Sequence, residues 1–232
     1  MKIILKRINP KLANKFIQIT KNLTGKIGLA HHGIQRSGTN YLNECLWRCG
    51  NPPLNSFDEF RHSPRHKHCR WYAKKVLIPS FLVGQYSNDF HIKDLDELNK
   101  IANYNANTVH LVIKKELYSW LASIINWGIK CNWFTNKNNA MDNLDQLMLD
   151  YNNYYNFWHD LEKRYPQRVS VLSLEKIYDN FNLIIEGQIK LGIDVKNKDF
   201  NGYIDQVNMS PPERDKIVSK EDVLKRLESN SL

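Results

Sequence analysis

Lys26-Ile27-Gly28-Leu29-Ala30-His31-His32-Gly33-Ile34-Gln35-Arg36-Ser37-Gly38-Thr39-Asn40 is the stretch that decides the fold. A short apolar run ends in a glycine, a second glycine stands five positions on, and residues 39–49 then read as a helix. Strand, glycine loop and helix in that order match the geometry of a phosphate-cradling loop. Glycine lets the backbone approach the anion, while successive N–H groups and the helix N-terminus face it. His31 and His32, at the end of the strand, read as support for the loop.

Outward from this unit, strands alternate with helices. Thr108-Val109-His110-Leu111-Val112-Ile113 is a continuous apolar, β-branched run of the kind buried in a parallel sheet. A helix is expected around 117–127, and another over 141–163 with Leu144, Leu147, Met148, Tyr151, Tyr154, Tyr155, Trp158 and Leu161 on one broad face. Val169-Ser170-Val171-Leu172-Ser173-Leu174 is a further strand, with a helix near 175–191. This alternation predicts an α/β chain with a parallel sheet. Residues 50–75 read as irregular, and 76–106 carry too weak a pattern to assign. Ahead of the glycine unit, Asn9-Pro10 starts a short amphipathic helix with Leu12, Phe16, Ile19 and Leu23 in one row, stopped by Thr24-Gly25. The row is expected to cover an edge of the core, with contact to an acceptor-bearing membrane as its alternative use.

The 232 residues suit a single domain, 1–232, and the 42% hydrophobic and 25% charged composition is globular, not disordered. No apolar run approaches a membrane span, and the N-terminus lacks the pattern of a signal peptide. Cys45, Cys49, Cys69 and Cys131 form no disulfide framework, so a reduced, cytoplasmic protein is expected. The net charge of +9 is unevenly placed: residues 1–75 carry 15 Lys and Arg against Glu44, Asp58 and Glu59. Such a basic third attracts an anionic partner or is simply a solvated face.

The glycine spacing is that of a P-loop, but Thr39 and Asn40 stand where the phosphate-binding lysine and the magnesium-binding hydroxyl would be. Lys114 and Lys115 end the second strand, where an acid would hold the metal. Both features argue against hydrolysis of ATP or GTP, and a cation stands instead inside the loop, at Arg36.

Arg36-Ser37-Gly38-Thr39-Asn40-Tyr41-Leu42 resembles the 5′-phosphosulfate-binding loop of sulfotransferases that use 3′-phosphoadenylyl sulfate (PAPS). The resemblance implies that Arg36 contacts the sulfuryl-bearing phosphate, with Thr39, Asn40 and the backbone of Ser37 and Gly38 around it. The second half of that family's signature is a cation at a strand end and a serine eight residues on, which bind the cofactor's 3′-phosphate. Lys115 and Ser123 stand at that spacing, with Lys115 in place of the usual arginine and Leu117 in place of the usual proline. Lysine is a point charge and gives up bidentate recognition. Val171-Leu172-Ser173-Leu174-Glu175-Lys176-Ile177 resembles the family's late strand–Glu–helix segment. The family's C-terminal basic loop has no counterpart in 193–232, where Lys216 and Lys220 are the substitutes to consider. The fold implied is a three-layer P-loop-type α/β domain with a central parallel sheet.

Sulfuryl transfer needs a base for the acceptor hydroxyl and cations for the departing phosphate, and it requires no metal if side chains and the loop supply that charge. The basic stretch Arg61-His62-Ser63-Pro64-Arg65-His66-Lys67-His68-Cys69-Arg70 supplies candidates. Lys67-His68 resembles the Lys/His pair of many sulfotransferases, with His68 as base, Lys67 as cation and His66 as the rival base. Zinc ligation by His66, His68, Cys69, Cys45 and Cys49 matches no usual spacing. Trp71, Tyr72, Trp120, Trp127 and Trp133, near the strand ends, are expected to be mostly core. The function expected is therefore transfer of a sulfuryl group from PAPS to a hydroxyl, with a carbohydrate, glycan or glycolipid precursor as acceptor and no nucleic-acid partner. The alternatives are a P-loop kinase and a non-catalytic nucleic-acid-binding module using the basic first third.

Overall fold

The computed structural model describes residues 10–57, 60, 63–72, 89–198 and 217–229. Among them the elements run α1 (Pro10–Leu23), β1 (Leu29–His32), α2 (Thr39–Arg48), β2 (Arg70–Tyr72), β3 (Asp89–His91), α3 (Leu95–Ile101) and β4 (Val109–Lys114). They continue with α4 (Leu117–Lys130), α5 (Lys137–Met141), α6 (Leu144–Arg164), β5 (Val169–Ser173), α7 (Leu174–Asp179), α8 (Asn182–Lys190) and α9 (Lys220–Ser229).

β1, β4 and β5 form a parallel sheet with β4 in the middle, Leu29 opposite Val109 and His110 opposite Val169. β2 and β3 pair in parallel as a separate two-stranded sheet. The protein is thus mixed α/β, with a small parallel sheet flanked by helices. β4 is buried from Val109 to Ile113 because it is covered on both faces, with His110 its one polar residue ahead of the terminal Lys114. Val109, Leu111 and Ile113 join Leu29, the α2 residues Leu42 and Leu46, and the α8 residues Ile184 and Ile185 in one core. Val112 and Ala30 face the other core, with Trp120 and Leu121 of α4 and Tyr155, Trp158 and Leu161 of α6. Cys45 and Cys49 are buried and free, and burial pushes the Cys45 thiol up to about 12, as for inert core residues.

Elsewhere the chain departs from its sequence pattern. The helix expected near 175–191 breaks at Asn180, whose backbone is extended at φ −145° and ψ 96°, giving α7 and α8. β2 lies inside the stretch that reads as irregular, while β3 and α3 occupy part of 76–106. α3 begins where Asp94 accepts the Glu97 amide at 2.9 Å. α1 forms as expected but faces the other way. Leu12, Phe16, Ile19 and Leu23 point outward, and Ala13 and Ile17 reach the core. The orientation is set by the buried Asn14, whose side-chain oxygen accepts the Phe57 amide at 3.1 Å. The apolar row therefore does not cover a core edge.

Candidate functional site

The glycine loop is shaped by what it cannot hold. A Cβ on Gly33 would lie 2.5 Å from the Ser37 hydroxyl oxygen, 2.7 Å from Thr39 Cγ2 and 2.9 Å from Ile113 Cγ2, so the loop folds back over its own start only with glycine there. Arg36 and Gly38 both take left-handed backbone, at φ 70° and 93°. Between them the Ser37 amide and hydroxyl both donate to the Ile34 carbonyl, at 3.1 and 2.6 Å. The Trp120 indole N–H donates to the Gln35 carbonyl at 2.7 Å. Loop carbonyls are thereby tied to donors inside the protein. α2 begins directly afterwards; its first bond runs from the Leu42 amide to the Gly38 carbonyl, and no side chain caps its N-terminus. The N–H groups of its first turn, at the positive end of the helix dipole, are the groups an anion would meet. Thr39 is buried, Asn40 is exposed, and the Ser37 hydroxyl is turned inward, so Ser37 can serve a ligand only through its backbone.

Two separated stretches bring polar side chains to this loop. From α4, the Ser123 hydroxyl accepts a hydrogen bond from Arg36 Nε at 3.3 Å, and the Trp127 ring lies 5.1 Å from the Arg36 guanidinium. Burial lowers the Arg36 pKa. From the histidine segment, Lys67 donates through Nζ to Asn40 Oδ1, and its carbonyl accepts the Gly33 amide at 3.0 Å. His68 donates from Nδ1 to the Gly33 carbonyl at 2.7 Å, which fixes the tautomer with its basic lone pair on Nε2. Burial, then Lys67 and His66, pushes the His68 pKa well below the ordinary histidine value. The His68 amide donates to His66 Nδ1 at 3.2 Å, so the buried His66 ring supports the segment, edge-on to His68 at 5.1 Å.

From the end of β4, Lys115 fixes its backbone by accepting the Tyr151 hydroxyl at its carbonyl, at 2.6 Å. Its neighbour Lys114 lies over the rings of Tyr151 and Tyr155, at 5.8 and 5.4 Å, with Nζ 3.3 Å from His159 Nε2; burial lowers its pKa. Glu116 caps α4 by accepting the Tyr118 and Ser119 amides at 3.0 and 2.9 Å, and it pairs with Lys220 of α9 at 3.0 Å. Burial alone would push the Glu116 carboxyl up, but these amides, the Ser119 hydroxyl and Lys220 together hold it down at about 2. Glu175, in the first turn of α7, accepts the Glu116 amide at 3.0 Å, tying α7 to the same corner. Lys216 lies outside the described residues.

Several residues that organise the site carry no local sequence signal. Asn55 mimics a peptide group on the outer edge of β1: its Oδ1 accepts the His31 amide and its Nδ2 donates to the His31 carbonyl, at 3.1 and 2.8 Å. The same Oδ1 takes the His31 Nδ1 proton at 2.8 Å. Arg70, within the basic stretch, is buried and bidentate to Asp150 of α6, with Nε–Oδ1 at 3.2 Å and Nη2–Oδ2 at 2.7 Å; its remaining nitrogen donates to the His68 carbonyl at 3.1 Å. Beneath β1, His110 donates from Nε2 to Asn99 Oδ1 at 2.9 Å and accepts at Nδ1 from His32 Nε2 at 3.0 Å. This pair is stacked beside Trp158, and burial pushes His110 down to about 3 and His32 well below its ordinary value. Of the aromatics near the strand ends, Trp71 and Trp120 are core, as expected, whereas Trp127 lines the Arg36 side chain.

No protein-family model, curated protein or solved structure matches the chain.

Proposed function

We propose that this chain is a PAPS-dependent sulfotransferase of three-layer P-loop type, moving a sulfuryl group in line onto a hydroxyl of a carbohydrate acceptor, such as a glycan or glycolipid precursor, in the cytoplasm. The observation that carries this proposal is convergence. Arg36, Ser123, Lys67 and His68 come from three separated stretches, each resembling a sulfotransferase motif, and they meet at one glycine loop.

In this reading the loop amides and the first turn of α2 hold the 5′-phosphosulfate, with Arg36 beside them. Lys115 and Ser123 take the 3′-phosphate. His68 Nε2 removes the acceptor proton as the acceptor oxygen bonds to sulfur, and the bond from sulfur to the 5′-phosphate oxygen breaks. 3′-Phosphoadenosine 5′-phosphate leaves, the new charge on its oxygen met by Arg36 and Lys67. Burial keeps His68 unprotonated at neutral pH, so it can take the acceptor proton, as a weaker base than an ordinary histidine.

The test compares thermal shifts with 3′-phosphoadenosine 5′-phosphate and with ATP–Mg²⁺. A ligand that binds only the folded state stabilises it by RT ln(1 + [L]/Kd). A shift with the former alone is the expected result. Preference for ATP–Mg²⁺ would point to a kinase, and silence with both would remove the nucleotide site.

A further inference from the structure

The outward face of α1 carries Leu12, Phe16, Ile19 and Leu23 at 59%, 51%, 45% and 83% exposure. Their spacing places them in one stripe along the helix. The opposite side is already packed into the core through Ala13 and Ile17, so this helix is apolar on two sides, one of which stays exposed among the described residues. A contiguous exposed apolar stripe of this kind marks an interaction surface.

Its charge setting is one-sided. No acidic residue precedes Glu44, while Lys2, Lys6, Arg7, Lys11, Lys15, Lys21 and Lys26 all fall in that span. Lys15 and Lys26 are exposed. At the C-terminal end of the stripe the like charges of Lys26 and Lys196 repel each other, and both act on Lys21, which burial and these charges lower to about 8. Asp194 opposes the effect on Lys26. Such a surface repels a second copy of itself, because pairing two chains through α1 would set like charges together. The basic residues ahead of Pro10 carry the same sign. An anionic bilayer satisfies both the apolar stripe and the lysines.

We propose that α1 docks on the surface of an anionic lipid bilayer, with Leu12, Phe16, Ile19 and Leu23 at the headgroup–acyl boundary and Lys15, Lys26 and Lys196 among the headgroups. The contact is interfacial, since the inner side of α1 belongs to the core. It does not depend on sulfuryl transfer and goes beyond that function.

The experiment sediments the full chain with vesicles of phosphatidylcholine, and with vesicles in which about a third of the lipid is phosphatidylglycerol. The expected result is roughly tenfold or more binding to the anionic vesicles, weakening as salt is raised. Phe16→Ser/Leu23→Ser removes exposed side chains only and is expected to keep the parent's thermal midpoint while losing this binding. Lys15→Glu/Lys26→Glu is expected to lose it as well, and provides a second test if the first variant fails to fold. Equal pelleting with both lipids, no pelleting with either, or unchanged binding by both variants would overturn the proposal. A parent dimer in sedimentation velocity that Phe16→Ser/Leu23→Ser converts to monomer would assign the stripe to a second copy instead.

Discussion

The glycine loop, 33–38, and the histidine segment, 63–69, are both irregular and lie against each other, yet they keep their shapes by different means. The loop is largely self-made: left-handed backbone at Arg36 and Gly38, a bare Gly33, and Ser37 bonding back to Ile34. The segment has turn bonds of its own, but its carbonyls at Arg65, Lys67 and His68 are fixed from outside, by Asn55, by the Gly33 amide and by Arg70 of a buried Arg70–Asp150 pair. A self-made loop follows its own sequence, whereas an imported one is only as secure as residues far away along the chain.

The comparison breaks most readily at the proposed base. His68→Ala should lower turnover roughly 10²–10⁴-fold and leave affinity for 3′-phosphoadenosine 5′-phosphate almost unchanged; a loss confined to affinity in calorimetry would make His68 a binder. Next is Asp150→Ala, which strands a buried guanidinium and should cost about 3–5 kcal/mol in urea unfolding. Replacing both members, as in Arg70→Met/Asp150→Leu, should recover part of that stability but not turnover, because the His68 carbonyl loses its donor. Full recovery of turnover would show that the segment needs no such anchor.

On the loop side, Gly33→Ala should destabilise by about 1–3 kcal/mol through crowding against Ser37, Thr39 and Ile113. Nucleotide binding should fall with it, while the Arg70–Asp150 pair stays intact.

Acid separates the two regions further. His110 is held neutral with its pKa lowered to about 3, and His31, His32 and His68 are also lowered. The unfolded chain takes up protons below its ordinary histidine pKa of about 6.5, whereas the folded chain does not. Stability from His110 is therefore fully present above that value and is lost as pH falls toward 3, by up to about 1.4 kcal/mol per pH unit. Urea midpoints at neutral and mildly acidic pH measure the slope, and a His110→Asn variant should flatten it.

The smallest effect belongs to Ser123→Ala. Loss of one hydroxyl that meets Arg36 should weaken 3′-phosphoadenosine 5′-phosphate by about 0.5–1.5 kcal/mol. Adenosine 5′-phosphosulfate, lacking the 3′-phosphate, should be weakened less. Equal losses would place Ser123 at the loop and not at the second phosphate.

Legibility in the sequence follows the same division. β1, α2, β4, α4, α6 and β5 announce themselves through runs and periodicity, because their partners are the two cores and any apolar side chain of suitable shape will do. The loop is legible because Gly33 and Gly38 stand at positions with steric demands. Asn55, Asp150 and Asn99 are not, since each acts through partners that only the fold brings to it: His31 and Arg65 for Asn55, Arg70 for Asp150, and His110 for Asn99. Lys114 was legible as a cation at the strand end, but its seat over Tyr151 and Tyr155 depends on α6 crossing behind it. The outward turn of α1 was hidden because its apolar row matches a core-facing helix, and Asn14 decides otherwise.

The register of the main sheet also orders events in time. Leu29 pairs with Val109, and His110 with Val169, so β1 has no strand to lie against until the chain has passed β4, and β4 gains its second neighbour only later. Closing such long loops is slow compared with forming a helix. As the chain leaves the ribosome, the glycine loop is made early but acquires Ile113 beneath it and Trp120 beside it only once β4 and α4 have emerged. A nascent chain ending before Val109 should therefore hold its apolar β1 exposed, and this is the stage at which a chaperone would be most needed.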